Sequence, residues 1–140
     1  RDLSDRMAFE ATIWKQANFD ALTGLPNRQM FHERLAQEAS QPGRFGRRMA
    51  LMLIDLDRFK QVNDSVGIAV GDSILLTLAR RLARLLKPQD TLARLTGDQF
   101  AMIVLSEKDP TQLIQFAETI RKQGEDLAPL NRTPPKPLKT

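Results

Sequence analysis

Residues 49–56 read Met49-Ala50-Leu51-Met52-Leu53-Ile54-Asp55-Leu56, a short and almost entirely apolar run. Such a run is typical of a β-strand that is buried in the centre of a sheet. Two further apolar runs, residues 91–95 and 100–105, flank the tetrapeptide Thr96-Gly97-Asp98-Gln99. Two strands joined by so short a connection are predicted to form a β-hairpin.

Helices are predicted around these strands, because apolar residues recur there at three- and four-residue spacing. The first covers residues 3–18, and a second ends at about residue 39. A third follows a loop, and Asp72 is expected to cap it. The last covers about residues 111–122, with Asp109 as one candidate cap. The order helix, helix, strand, helix, hairpin, helix predicts an α/β fold in which a mixed sheet has flanking helices.

The composition excludes several classes of function. The chain has 140 residues, a formal net charge of +4 and no cysteine. Disulfides and thiolate metal sites are therefore excluded, and a reducing cytoplasm is the expected location. The basic excess is spread along the chain without a binding motif, so no nucleic acid is expected as a partner. No apolar run is long enough for a membrane segment, and the lone His32 is expected to be an ordinary helix residue.

The sequence divides into three segments. Residues 1–18 are predicted to form an N-terminal connecting helix, although packing of this helix on its own domain is an equal alternative. Residues 19–123 form the predicted folded domain. Residues 124–140 are rich in proline and are predicted to be a disordered tail.

Acidic residues stand at the ends of two predicted strands. Asp55 ends the apolar run and Asp98 lies in the hairpin turn, so their carboxylates converge if the two strands are neighbours. Asp57 shares the face of Asp55 if the strand continues that far, and Leu56 offers a main-chain carbonyl between them. Mg²⁺ prefers such oxygen ligands, and Gly97 would let a phosphate approach the backbone. The residues alone predict a divalent-cation and phosphate site, with an ordinary strand end and turn as the alternative.

Three blocks of sequence resemble a known family. They are Asp-Ala-Leu-Thr-Gly-Leu-Pro-Asn-Arg at residues 20–28, Asp-Leu-Asp-Arg-Phe-Lys-Gln-Val-Asn-Asp at residues 55–64 followed by Gly71-Asp72, and Ala-Arg-Leu-Thr-Gly-Asp-Gln-Phe at residues 93–100. The chain is similar to GGDEF domains, the domains of bacterial diguanylate cyclases, over roughly residues 15–123. Residues 13–20 further resemble GGDEF domains that precede an EAL phosphodiesterase domain.

The resemblance implies a fold like that of nucleotide cyclases and polymerase palms. It implies that two domains meet, each with one GTP, and that cyclic di-GMP and pyrophosphate form with the help of metal ions. Asp55 and the Leu56 carbonyl would bind Mg²⁺, and Asp98, the candidate catalytic residue, would bind Mg²⁺ or help to activate the 3′-hydroxyl. The substrate-binding residues implied by the resemblance are Phe59, Lys60, Asn63, Asp72 and Gly97, of which Asn63 and Asp72 would read the guanine edge.

Several positions depart from the family pattern. Thr96 stands where the family has glycine, which predicts a hindered turn, and Gln99 stands where it has an acidic residue, which predicts a weakened Mg²⁺ site. Lys87 and Asp90 would be the remnant of the inhibitory site, in which lysine lacks the planar fork of arginine. Nothing after residue 124 resembles the C-terminal strands of the family, so these strands are expected to be lacking.

These observations predict a cyclic-di-GMP signalling domain with a degenerate active site. We expect weak or no synthesis and a GTP-binding regulatory role. A scaffold for dimerisation or protein interaction that binds no nucleotide is one alternative, and a weakly active cyclase is another. The expected partners are GTP, a second copy of the domain in a homodimer, and a sensor or EAL domain in the same protein.

Overall fold

The computed structural model describes residues 2–40, 48–106, 109–125 and 127. The predicted tail therefore lies almost entirely outside the described residues. Eight elements follow one another along the described chain: α1 (Asp2–Asn18), α2 (Arg28–Ala39), β1 (Arg48–Asp55), α3 (Phe59–Val66), α4 (Ile68–Leu85), β2 (Thr91–Thr96), β3 (Gln99–Ser106) and α5 (Pro110–Gln123).

The described part of the sheet has three strands in the order β1-β3-β2, and both neighbouring pairs are antiparallel. The α/β class with flanking helices is confirmed, and β1 and β2 run in the same direction on either side of β3. The expectation of a central position for the apolar run was wrong within the described residues, since β3 is central and β1 is an edge strand. Burial of β1 comes from the helices on its faces rather than from a strand on each side.

Each face of the sheet packs against its own helices. On one face, Met52, Phe100 and Met102 contact side chains of α3, α4 and α5, including the fully buried Leu82. On the other face, Phe31 of α2 packs on a smaller apolar cluster of the sheet. The regular leucine stripe predicted for α4 is thus the larger core of the domain.

The loop between α1 and α2 is fixed by its polar residues. Asn27 caps α2 because its Oδ1 accepts a hydrogen bond from the backbone N–H of Met30 at 3.1 Å. The same side chain donates from Nδ2 to the carbonyl of Ala17 at 2.9 Å, which ties the start of α2 to the end of α1. Gly24 has a φ of +73°, a left-handed conformation that favours glycine at this turn.

Two local expectations need correction. Asp72 does not cap α4, because the helix begins at Ile68, directly after Gly67, which has a φ of +93°. Asp57 does not share a strand face with Asp55, because β1 ends at Asp55 and Asp57 lies in a turn.

The predictions of α1, α2 and α5 agree with the structure, but the sequence predicted one helix between the first strand and the hairpin, where the structure has two, α3 and α4. Asp109 caps α5 in a reciprocal capping box with Gln112, as the sequence allowed. Among the described residues, no helix combines the length and the apolar character that crossing a membrane would require.

Candidate functional site

The end of β1 at Asp55 and the turn that carries Asp98 lie side by side at one end of the sheet. Asp55 is paired with Gln99 in the register of β1 and β3, and the backbone N–H of Leu56 donates to the carbonyl of Asp98 at 2.9 Å. The predicted neighbourhood of the Asp55 strand end and the turn at residues 96–99, called here the signature turn, is therefore confirmed. Since directly opposed residues of an antiparallel pair point to the same face, Asp55 and Gln99 are side-chain neighbours.

The oxygen atoms at this end of the sheet are of the type that binds Mg²⁺, but there are few of them. The carboxylates of Asp55 and Asp98 and the carbonyl of Leu56 are hard oxygen ligands of the type that Mg²⁺ prefers. Within the described ranges, no three His, Cys, Asp or Glu side chains come together as a metal-binding group. Asp55 and Asp98 are the carboxylates that the paired ends of β1 and β3 bring to this point, and an acidic residue at the position of Gln99 would be a third.

The signature turn accommodates Thr96 without backbone strain. Arg58 is the only residue other than glycine with a positive φ in the described chain, so neither Thr96 nor Asp98 has one. Thr96 Oγ1 lies 3.5 Å from Asp98 Oδ1, at the limit of a hydrogen bond. Nothing lies within 4 Å of a Cβ built on Gly97, so the backbone there is open to an approaching ligand. The hindrance expected from Thr96 therefore concerns its side chain and not the turn conformation.

The guanidinium group of Arg94 fixes this turn through hydrogen bonds to its backbone carbonyls. Its Nε donates to the carbonyl of Thr96 at 3.3 Å, and its Nη2 donates to the carbonyl of Gly97 at 3.1 Å. Its Nη1 donates to both carboxylate oxygens of Asp20, at 3.2 and 3.1 Å. Arg94 thereby connects the loop after α1 to the turn that carries Asp98.

The role of Asp20 and Arg94 was missed by the sequence reasoning. Both residues belong to the blocks that resemble the family, but their partnership spans 74 positions in the chain and no local pattern reveals it. A charged pair of opposite sign, one residue in each of two family blocks, is the signal that would have pointed to it.

Asp20 is held in its charged form by its surroundings. Partial burial raises the pKa of the Asp20 carboxyl, but hydrogen bonds from the backbone and hydroxyl of Thr23 lower it, as do the hydrogen bond and charge of Arg94. The net result is a pKa below the ordinary value of 3.8. The Asp20–Arg94 ion pair is therefore intact at neutral pH.

A cavity of about 660 Å³ lies between the start of α2 and the end of β2. Its polar walls include the Asp20–Arg94 pair together with Arg28, and Thr96 and Gly97 of the turn also line it. His32 lies at this cavity as an exposed residue of α2, which agrees with its expected role as an ordinary helix residue.

The predicted guanine-reading residues meet at the contact of α3 and α4. Asn63 lies on α3 with its side chain against Gly71 of α4, and Asp72 is the next residue of that helix. Phe59 is buried, with its ring also near Gly71, whereas Lys60 is exposed on the first turn of α3. The structure thus brings these predicted residues onto two adjacent helices.

Asn63 carries a buried acceptor without a partner. Its Oδ1 is shielded from solvent and has no hydrogen-bond partner among the described residues. An unpaired buried polar atom costs about 1–3 kcal/mol, so its presence in a folded domain calls for an explanation.

The predicted remnant of the inhibitory site, Lys87 and Asp90, lies in the loop between α4 and β2. Asp90 Oδ2 accepts a hydrogen bond from the backbone N–H of Lys87 at 3.0 Å, and its Oδ1 accepts one from the backbone N–H of Leu105 at 2.9 Å. Both carboxylate oxygens are thus used to join the α4–β2 loop to β3. These contacts give Asp90 a structural role.

The family comparison agrees with this geometry. The family described as "Diguanylate cyclase, GGDEF domain" matches residues 17–137. The chain belongs to the GGDEF family. The predicted fold class and the recognition of the family are therefore confirmed.

Two curated relatives illustrate the similarity. Over 104 residues the GGDEF chain is 41% identical to a cyclic di-GMP phosphodiesterase, PdeB of Shewanella oneidensis, covering 74% of this chain and 12% of PdeB. Over 110 residues it is 36% identical to the diguanylate cyclase TpbB of Pseudomonas aeruginosa, covering 79% of this chain and 25% of TpbB. The chain thus spans a quarter or less of the length of these relatives.

The fold also matches solved GGDEF structures. The coiled coil and GGDEF domain of DgcB from Caulobacter crescentus, in complex with c-di-GMP, aligns with a TM-score of 0.75 at 28% identity, over 86% of this chain and 62% of that one. The GGDEF domain of DgcB without the coiled coil aligns with a TM-score of 0.69 at 31% identity, over 75% of this chain and 61% of that one. Both alignments support the assignment of the fold.

Proposed function

We propose that this GGDEF domain is a GTP-binding regulatory module of cyclic-di-GMP signalling, in which synthesis of cyclic di-GMP is weak or absent. The proposal has two parts. The first is that the guanine-binding end is retained, and the second is that the metal end is weakened.

Asn63 Oδ1, which is buried and has no hydrogen-bond partner in the part of the chain that the structure describes, supports the first part. Guanine offers N–H donors on its base edge, and a donor that reaches this acceptor would recover the cost of leaving it unpaired. Asp72, adjacent to the glycine that Asn63 contacts, is a half-buried carboxylate and a second acceptor for the same base edge. Adenine presents a different pattern of donors and acceptors, so the pair would favour GTP over ATP.

Gln99 supports the second part. It stands beside Asp55 in the sheet register, where an acidic residue would add a third carboxylate. An amide brings no negative charge, so Asp55, Asp98 and the Leu56 carbonyl are left to hold Mg²⁺ with less charge than the family pattern supplies. Mg²⁺ bound there would neutralise phosphate charge, and its weaker binding would reduce catalysis more than recognition of the base.

Titration of GTP into the 140-residue chain tests the proposal, with ATP as the comparison ligand. We expect GTP to bind and ATP to bind more weakly. Asp72→Ala should lower the GTP affinity by roughly 10- to 150-fold, the equivalent of about 1.5–3 kcal/mol for a hydrogen bond to a charged group. Asp2→Ala removes an exposed carboxylate of α1, away from the predicted guanine-binding residues, and is the matched control. Absence of GTP binding, or equal binding of GTP and ATP, would overturn the regulatory-module proposal.

The alternative without nucleotide is a dimerisation scaffold, and the surface of α1 favours a second copy of the chain as a partner. Leu3, Met7 and Trp14 follow one another at four- and seven-residue spacing and are 69%, 61% and 55% exposed. Such spacing forms the seam of a coiled coil. The DgcB structure that includes a coiled coil covers 11 percentage points more of this chain than the one without it, 86% against 75%.

We propose that two copies pair along this face of α1. Sedimentation of the chain should show a dimer that Met7→Lys weakens. Gln16→Lys, at an exposed position on the opposite side of α1, should leave the dimer intact. A monomer at all concentrations would contradict the pairing.

Because the relatives are several times longer, we also propose that a sensor or EAL domain adjoins this one. We further propose that the domain works in the cytoplasm.

A further inference from the structure

Gly71 lies within α4 and yet is in contact with another helix. Its backbone N–H donates to the carbonyl of Gly67 at 3.1 Å, so its conformation is helical. Alanine is more stable than glycine inside a helix, so helix formation alone gives no reason for glycine here.

The reason lies in the space beside Gly71. A Cβ at this position would fall 1.7 Å from Oδ1 and 2.9 Å from Cγ of Asn63. Turning the amide over would leave Cγ in the same place and put Nδ2 where Oδ1 was. The whole Asn63 side chain would therefore have to move if residue 71 carried a side chain.

We infer that Gly71 is a positioning residue for Asn63: the missing side chain of Gly71 is the space in which the Asn63 amide is held for ligand recognition. Gly71 itself does not contact the ligand; it acts on the ligand only by fixing the position of the Asn63 side chain. The claim that Gly71 affects nucleotide binding rests on the proposed function and deepens it. The claim that Gly71 fixes the Asn63 side chain rests only on the contact between α3 and α4.

A double-mutant cycle on urea unfolding tests the packing part. Gly71→Ala alone should lower the unfolding midpoint, because the new methyl group collides with Asn63. In the background of Asn63→Ala the same change should leave the midpoint unchanged or raise it, because only the ring of Phe59, at 3.2 Å, still has to yield slightly. If Gly71→Ala alone does not fold, the double variant should fold. A double variant that also fails, or additive effects of the two changes, would overturn the inference.

Gly124→Ala is the matched control. A Cβ there would meet nothing closer than 3.9 Å, so this variant should unfold like the wild type and keep its GTP affinity. A loss of stability in the control as large as that of Gly71→Ala would contradict a specific collision with Asn63.

Two further measurements follow the amide itself. The side-chain NH₂ resonances of Asn63 should shift in Gly71→Ala and stay in place in Gly124→Ala. GTP affinity should fall roughly tenfold or more in Gly71→Ala, the loss of about one hydrogen bond, and the preference for GTP over ATP should narrow. Unshifted resonances would overturn the inference. Coupled unfolding in a chain that binds no GTP would support the positioning of Asn63 and overturn the proposed function.

Discussion

Removal of the Arg94 side chain should loosen the signature turn and destabilise the domain. In Arg94→Ala, the turn loses the hydrogen bonds to the carbonyls of Thr96 and Gly97, and the loop after α1 loses those to Asp20. The Arg94 and Asp20 side chains are only 14% and 21% exposed, so water replaces these bonds incompletely.

The size of the effect follows from what remains in the variant. Hydrogen bonds to charged groups are worth about 1.5–3 kcal/mol each, but bonds of one side chain are not additive. Asp20 keeps the two donors of Thr23, at 2.8 and 2.7 Å, so its carboxylate is not left without a partner. We therefore expect the free energy of unfolding to fall by about 2–3 kcal/mol.

The loss of unfolding free energy in Arg94→Ala should also depend on pH. The folded-state pKa of Asp20 lies below its ordinary value of 3.8, so its stabilising contribution is complete above that value and is lost as the pH falls through the folded-state pKa. The difference between the wild type and Arg94→Ala should thus be constant above about pH 5 and shrink below the ordinary pKa.

Urea unfolding between pH 3 and 7 measures this difference, with Arg84→Ala as the control. Arg84 is exposed on α4 and takes part in no ion pair or hydrogen bond within the described parts of the chain. The backbone N–H of Leu56, which donates to the carbonyl of Asp98, should also exchange faster in Arg94→Ala. Equal stability of the two arginine variants, or a difference that grows on acidification, would refute the assigned role of Arg94.

Two more changes probe the remaining site predictions. Asp90→Ala should lower the free energy of unfolding by about 1–3 kcal/mol, because the backbone N–H groups of Lys87 and Leu105 lose their acceptors, and an unchanged urea midpoint would contradict that structural role. Gln99→Glu should strengthen Mg²⁺-dependent GTP binding about fivefold, the equivalent of about 1 kcal/mol for an exposed ionic contact, as measured by titration with and without Mg²⁺. A gain that is equal without Mg²⁺ would show that the new carboxylate does not act through the metal.

The sequence predicted features that depend on short stretches of chain. The apolar run that ends at Asp55 and the tight connection at Gly97 define two strand ends, and their pairing follows from the hairpin and the sheet. Asp109 before a proline and an apolar period likewise indicates a helix start. In each case the deciding interactions lie within a few residues of one another.

Features that depend on distant contacts could not be predicted in the same way. The apolar character of β1 indicates burial but not its position at the edge of the described sheet, because helices on its faces bury it as well. Gly71 resembles a loop residue in sequence, and only the Asn63 side chain beside it explains a glycine inside α4. The partnership of Arg94 and Asp20 likewise requires the folded chain.

The conformation of the signature turn and its capacity for metal rest on different residues. Arg94 holds the turn carbonyls from behind, and the N–H of Leu56 holds the Asp98 carbonyl from the neighbouring strand, and neither contact involves the side chain of residue 99. A neutral residue at position 99 therefore leaves the turn in place, while the proposed metal site has one negative charge fewer than the family pattern supplies. Asn63 and Gly71 lie on α3 and α4, and neither residue belongs to the turn or to the proposed metal site. Loss of synthesis and retention of base recognition are thus physically separable in this fold, as the proposed GTP-binding regulatory role requires.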